Sequence, residues 1–227
     1  MLFYLDRPAI LLGIAIALYI GVIAHDVAQV FAAQALGDPL PRRSGRLTLN
    51  PQPHVTVFSV VAMVIVGVGW AEPIPMSDHW RRLRYKISAA VLAGPLAYAI
   101  LGALSLLALR GLTTTITVTS GDRVATISHS HLFGAQLVSA MAYTFCGLCV
   151  VSLIPIPPTD GGRILFTLGP NSPGWGNARY QLQERNFGLA IILALLMLPI
   201  LFPGFPSVVG QLAPALYRGL SHVVGLT

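Results

Sequence analysis

The sequence predicts an all-α polytopic membrane protein with about four to six membrane segments, a re-entrant segment and a small surface β-hairpin, in a single membrane domain over residues 1–227. Three observations carry this expectation. Hydrophobic residues make up 55% of the chain, charged residues only 10%, and the mean hydropathy is +0.73, outside the range of soluble domains. Apolar stretches of span length recur along the chain, separated by polar, proline-broken loops. Several passes use up most of the 227 residues and leave no room for a soluble domain of ordinary size.

The first helix is expected over 8–36, because Pro8 is a good opening residue and Gly37 and Pro39 stop it. Next, "RLTLN" (Arg46 to Asn50), set between glycine and proline breaks, reads as a short strand leading into a re-entrant segment, the two covering 46–70. Its apolar part, Val55 to Gly69, is only 15 residues long, which fits a re-entrant or tilted segment as well as a full span. A helix over 83–110 carries "AAVLAGPLAYAILGA", where Ala89, Ala93, Gly94 and Ala97 would permit close helix contact. "TTTITVTSGDRVATIS" alternates polar with β-branched residues around a Ser-Gly-Asp turn and predicts a surface hairpin over 113–129. A helix over 132–154 ends in "PIPPTDGG". After a glycine- and proline-rich loop come a helix over 187–202 and a C-terminal one over 206–224, the last either a span or an amphipathic surface helix.

A net charge of +6, carried by thirteen arginines and one lysine in the loops between spans, suits anionic lipid headgroups. No basic stripe with interleaved aromatics exists, so nucleic acid is excluded as a partner, and the expected partners are membrane lipids and other integral membrane proteins or transmembrane helices. If 55–69 re-enters, the loops 37–54, 70–86 and 155–185 share one side and gather ten of the fourteen basic residues, which makes that side cytoplasmic. Cys146 and Cys149 have C-x-x-C spacing but lie mid-span without a βαβ context, and read as small packing residues. The "MLFYLDRP" start has no basic n-region and no small-residue cleavage site, so the first apolar run reads as a retained helix. His129 and His131, in "SHSH", read as a wet loop outside the membrane.

Inside the first helix stand His25, Asp26 and Gln29, and ionisable residues within a span point to function first. Residues four apart lie one above the other, so His25 and Gln29 face the same way with Asp26 flanking. This is the geometry of H-E-x-x-H, in which two histidines bind zinc and a glutamate acts as general base, but here the string is H-D-V-A-Q. A further carboxylate, Asp160 in "LIPIPPTDGGRIL", sits where prolines and glycines break a helix at membrane depth. Each residue also has a plainer role. His25 would serve as a hydrogen-bonded core histidine, and Asp160 as a helix cap or arginine partner.

With "AAQALGD", "GRLTLNPQPH", "GWAEPIP", "VLAGPLAY" and "LIPIPPTDGGRIL" in this order, the sequence resembles the site-2 protease family of intramembrane zinc metalloproteases over nearly the whole chain. The resemblance implies a site-2-protease-like helical core in a bacterial plasma membrane, with the site near the cytoplasmic side. It also implies zinc as the cofactor, with His25, the Gln29 position and Asp160 as its ligands and Asp26 at the general-base position. The departures fall on the chemistry. Asp26 is shorter than the family's glutamate, and a misplacement of about 1 Å costs on the order of a hundredfold in rate. Gln29 replaces the second zinc histidine with an amide, a poor zinc ligand beside imidazole. Tyr98 and Ser152 stand where the family usually has asparagines, and Thr56 where an aspartate is common.

Two functions follow from this. One is a proteolytically inactive member that keeps the binding cavity and acts as a binding partner, chaperone or structural subunit in a membrane assembly. The other is an active metalloprotease with an unusual ligand set, His25 and Asp160 with His54 or Gln29. His54 would enter that set as a substitute ligand, carried inward by the re-entrant segment. The first is preferred, because several losses of polar chemistry together are more simply explained by relaxed demand than by a new mechanism.

Overall fold

The computed structural model describes residues 4–77, 83–112, 115–120, 123–128, 133–202 and 204–226. In chain order the elements are α1 (Pro8–Ala35), α2 (Leu40–Arg43), a 3-10 turn (Gln52–His54), α3 (Val57–Val66), α4 (Arg84–Leu112), β1 (Thr115–Ser120), β2 (Arg123–Ser128), α5 (Phe133–Ser152), α6 (Asp160–Leu168), α7 (Pro173–Gln183), α8 (Phe187–Leu201) and α9 (Val208–Val224). The long helices α1, α4 and α5 pack pairwise into the frame, α6 lies on α4, and α9 lies against α5 and α4. Leu18, Val22, Met63, Tyr98, Phe145 and Leu148 meet between them. Their outer faces are also apolar, with Leu12, Ile20 and Phe31 on α1 and Leu96, Ile100 and Leu104 on α4 exposed. Helices apolar all round in so small a protein are what a lipid solvent selects.

By length and composition three described helices, α1, α4 and α5, can cross a membrane, or four if α7 and α8, bent by 62°, count as one broken span. The upper figure meets only the low end of the expected four to six. The ten residues of α3 reach about 15 Å and the fifteen of α8 about 22 Å, both short of a hydrocarbon core of about 30 Å. β1 and β2 pair antiparallel, from Thr115 with Ser128 to Ser120 with Arg123. The expected strand at Arg46 to Asn50 is absent. No strand runs beside it among the described residues, and Arg46 turns inward to bond backbone carbonyls.

The loop expected after α5 holds two helices. Thr159 and Ser172 cap α6 and α7 by accepting the Gly162 and Trp175 amides, and Pro173 opens α7, so glycine and proline here start helices instead of breaking them. The packing face of α4 also differs from expectation. It runs through Ala90, Val91, Gly94, Pro95 and Tyr98, while Ala89 is exposed and Ala93 and Ala97 are half-buried. Among the expected close contacts only Gly94 lies on it. Cys146 and Cys149 are buried free thiols in α5. His129 and His131 lie outside the described residues.

The segment after the 3-10 turn leaves and returns at one end. Thr56 caps α3 by accepting the Ser59 amide, and Gly67 ends it in the left-handed region at φ 89°. The chain then doubles back. Ser59 Oγ accepts the Trp70 amide at 3.0 Å and donates to the Trp70 carbonyl. The Glu72 amide donates to the His54 carbonyl at 2.7 Å, so exit and entry of this loop touch. Ser77 is bonded in turn to Asp38, just past the end of α1.

Candidate functional site

His25, Asp26 and Gln29 lie on the buried side of α1, each at most 2% exposed, and they meet groups from three other parts of the chain. The first is the start of α6. Thr159 ties its own turn by donating to the Ile156 carbonyl at 2.9 Å, and side chains at Gly161 and Gly162 would overlap Leu153, Ile154 and Pro157. These glycines let α6 begin in close contact with the turn before it. That placement points Asp160, its first residue, at His25.

The second is α4. A methyl group on Gly94 would overlap His25 Nε2 and Cδ2, so only glycine lets α4 approach this closely. Pro95 follows, and having no N–H it leaves the carbonyl of Val91, four residues back, without its helical donor. Gln29 Nε2 fills that place at 2.9 Å. Tyr98, one turn on, stacks against the His25 ring with centroids 4.9 Å apart, and its hydroxyl is buried with no partner among the described residues.

These approaches create one hydrogen-bonded chain. His25 Nε2 is 2.6 Å from Asp160 Oδ2, and Gln29 Nε2 donates to Asp160 Oδ1 at 2.8 Å. The two amide hydrogens of Gln29 are thereby spent on Val91 and Asp160, and both acceptors orient the amide with its nitrogen toward His25 at 3.3 Å. Gln29 Oε1 points away, buried and without a partner among the described residues. On the other side of the ring, His25 Nδ1 is 3.1 Å from Asp26 Oδ1.

Asp26 is the hub of the third approach, from the chain before and after the re-entrant loop. Its Oδ2 receives His54 Nδ1 at 2.8 Å and Arg46 Nη1 at 3.2 Å. Arg46 also donates to the carbonyls of Pro53, Glu72 and Pro73, and His54 Nε2 lies 3.0 Å from the Thr48 carbonyl. His54 faces acceptors with both nitrogens, and the hydrogen bond to Asp26 raises its pKa above the usual histidine value, against the opposing effect of burial.

The structure thus brings His25, Gln29 and Asp160 together and keeps His54 apart from them, beyond Asp26. Among the described residues no group of three or more His, Cys, Asp or Glu side chains is arranged to hold a metal ion. Ser152 is not part of the cluster either, since its hydroxyl bonds back to Cys149 in its own helix. Arg46, in sequence only one of the loop charges, is the unexpected participant. The signal available was its place at the head of "GRLTLNPQPH".

No protein-family profile matches the chain, and no solved structure does. A curated protein of Bacillus subtilis (strain 168), named "Putative zinc metalloprotease YwhC", is 27% identical over 199 residues, spanning 82% of this chain and 81% of that one. The matched length takes in most of the chain, the scale on which the five sequence marks are spread. Over most of its length the chain is thus similar to a protein named as a zinc metalloprotease, and its apolar helices are those of a membrane protein.

Proposed function

We propose that the chain is a site-2-protease-like membrane protein without proteolytic activity, embedded in a bacterial plasma membrane, that binds segments of other membrane proteins in its retained cavity as a partner, chaperone or structural subunit. The observation that carries this is the amide of Gln29, which turns its N–H bonds toward the group that holds zinc in the family. A zinc ligand offers a lone pair there. His25 Nε2 and Asp160 Oδ2 are bonded to each other at 2.6 Å, whereas two tetrahedral ligands at about 2.0–2.2 Å from zinc stand roughly 3.3 Å apart. The donor set as it stands, one imidazole and one carboxylate joined directly, does not fit the ion.

Asp26 supports the same reading. Its carboxylate takes His25, His54 and Arg46 and holds the re-entrant loop, leaving it ill suited to accept a proton from water. His54 does not favour the unusual-ligand protease, because both its nitrogens are engaged by Asp26 and Thr48. The ten of fourteen basic residues that fall in the sequence segments 37–54, 70–86 and 155–185 favour a cytoplasmic placement of the site.

The test is elemental analysis of protein purified without added zinc, paired with a cleavage assay on a helical membrane substrate. Zinc well below stoichiometric and an uncut substrate are expected. About one zinc per chain, lost on Asp160→Ala, or cleavage abolished by Asp26→Ala, would overturn the proposal.

A further inference from the structure

Between the returning chain of the re-entrant loop and helices α6 to α8 lies a cavity of about 480 Å³. Part of its lining is apolar and continuous with the outside of the protein. Phe58, 52% exposed on α3, belongs to it, as do Trp70 and Leu189 of α8. The cavity also meets Arg163 of α6, whose Nη1 is buried with no hydrogen-bond partner among the described residues. Arg179, exposed on α7, and Glu72 line the same space, yet neither Glu72 nor any other described carboxylate lies within ion-pair distance of Arg163.

Buried guanidinium N–H groups are almost always paired, and the unpaired one here belongs to a side chain that lines an open space. A ligand that completes it must bring an oxyanion to Arg163 and an apolar body to Phe58, Trp70 and Leu189. We propose that this cavity is a binding site for an anionic membrane lipid, its phosphate held by Arg163 with Arg179 at the rim and its acyl region against the apolar wall. Guanidinium and phosphate match in charge and in hydrogen-bond geometry. Lipid is the source favoured over a free anion because apolar side chains line the cavity beside Arg163 and half-exposed Phe58 carries that wall to the protein surface. Burial pulls the Arg163 pKa down and Asp160 partly offsets this, so a bound anion would relieve a charge held at a disadvantage. The site is independent of whether the chain is a protease.

The experiment uses the full chain purified in a neutral maltoside detergent, titrated with dioleoylphosphatidylglycerol, dioleoylphosphatidylcholine, inorganic phosphate, or a short apolar peptide carrying one glutamate. Retention is read by native mass spectrometry. Phosphatidylglycerol should be retained by the unaltered chain, at least tenfold more weakly by Arg163→Gln, and partly recovered by Arg163→Lys. Phosphatidylcholine carries the same phosphodiester, but its choline cation would lie beside Arg163 and Arg179, so it should be retained more weakly than phosphatidylglycerol by the unaltered chain. Thr167→Glu, which introduces a carboxylate on a cavity-lining residue of the same helix while keeping the arginine, should also abolish retention and serves if Arg163→Gln does not fold. Arg163-dependent binding of inorganic phosphate that displaces the lipid would support the same oxyanion site. Equal retention of phosphatidylglycerol in all variants, or Arg163-dependent binding of the glutamate peptide with no lipid retained, would overturn the proposal.

Discussion

At the scale of single residues, Asp26 holds more of the structure than its neighbours. Two cationic partners, His54 and Arg46, reach it from the loop, and His25 meets it from its own helix. Asp26→Asn removes the negative charge facing these cations and sets an N–H against one of their donors, so it should cost about 3–5 kcal/mol, measured by thermal or denaturant unfolding in detergent. The His54 contact gives this stability a pH dependence. Its folded-state pKa is raised above the ordinary 6.5, so the contribution is present in full below about pH 6.5 and is lost as pH rises through the raised value. Unfolding midpoints should fall over that window in the unaltered chain, and His54→Gln should flatten the curve. His25, Asp26 and Gln29 were legible in sequence because helical spacing alone puts them on one buried face. Arg46 was not, since its partner is 20 residues away and its place in "GRLTLNPQPH" does not show that the side chain turns inward.

At the scale of elements, the excursion of α3 and its return is tied at the mouth by the bond from Glu72 to His54 and by Arg46. A cysteine at exposed Pro75 should therefore be labelled from the same membrane side as one at exposed Ser44. Opposite labelling would show a complete crossing and reverse the flanking assignments. Gly94 sets the distance between α1 and α4, and Gly94→Val should force them apart and lower the yield of folded protein, seen as loss of a monodisperse peak on size exclusion. The long helices were legible from apolar length and proline positions. The shorter ones were not: α6 and α7 begin at caps whose hydroxyls matter only once the chain has folded back, and their glycines resemble loop residues in one dimension. The lost strand at Arg46 to Asn50 fails for the complementary reason, because a strand needs a neighbour that sequence alternation does not supply.

At the scale of the whole molecule, the approach of α4 and α6 to α1 rests on Gly94, Gly161 and Gly162 and not on the identity of the polar residues between them. Restoring Asp26→Glu and Gln29→His should recover zinc binding, assayed by elemental analysis, because α4 and α6 already bring their groups to α1. Proteolysis should remain absent until Tyr98→Asn and Ser152→Asn are added, since Tyr98 covers the His25 ring and Ser152 bonds within its own helix. Such a stabilising group can be worth about 3 kcal/mol, or two to three powers of ten in rate. The resemblance was legible because its marks sit largely at proline and glycine positions that shape the backbone, while the orientation of the Gln29 amide depends on acceptors from two other helices. Position 29 also shows what saturation mutagenesis would find. The carbonyl freed by Pro95 must receive a donor or lie bare in the interior, so a side chain there is filtered by whether it delivers an N–H to Val91. Leucine and glutamate should be rejected. Glutamine and histidine both carry the required hydrogen, which makes them interchangeable for assembly, while only histidine keeps a second ring nitrogen whose lone pair could face a metal.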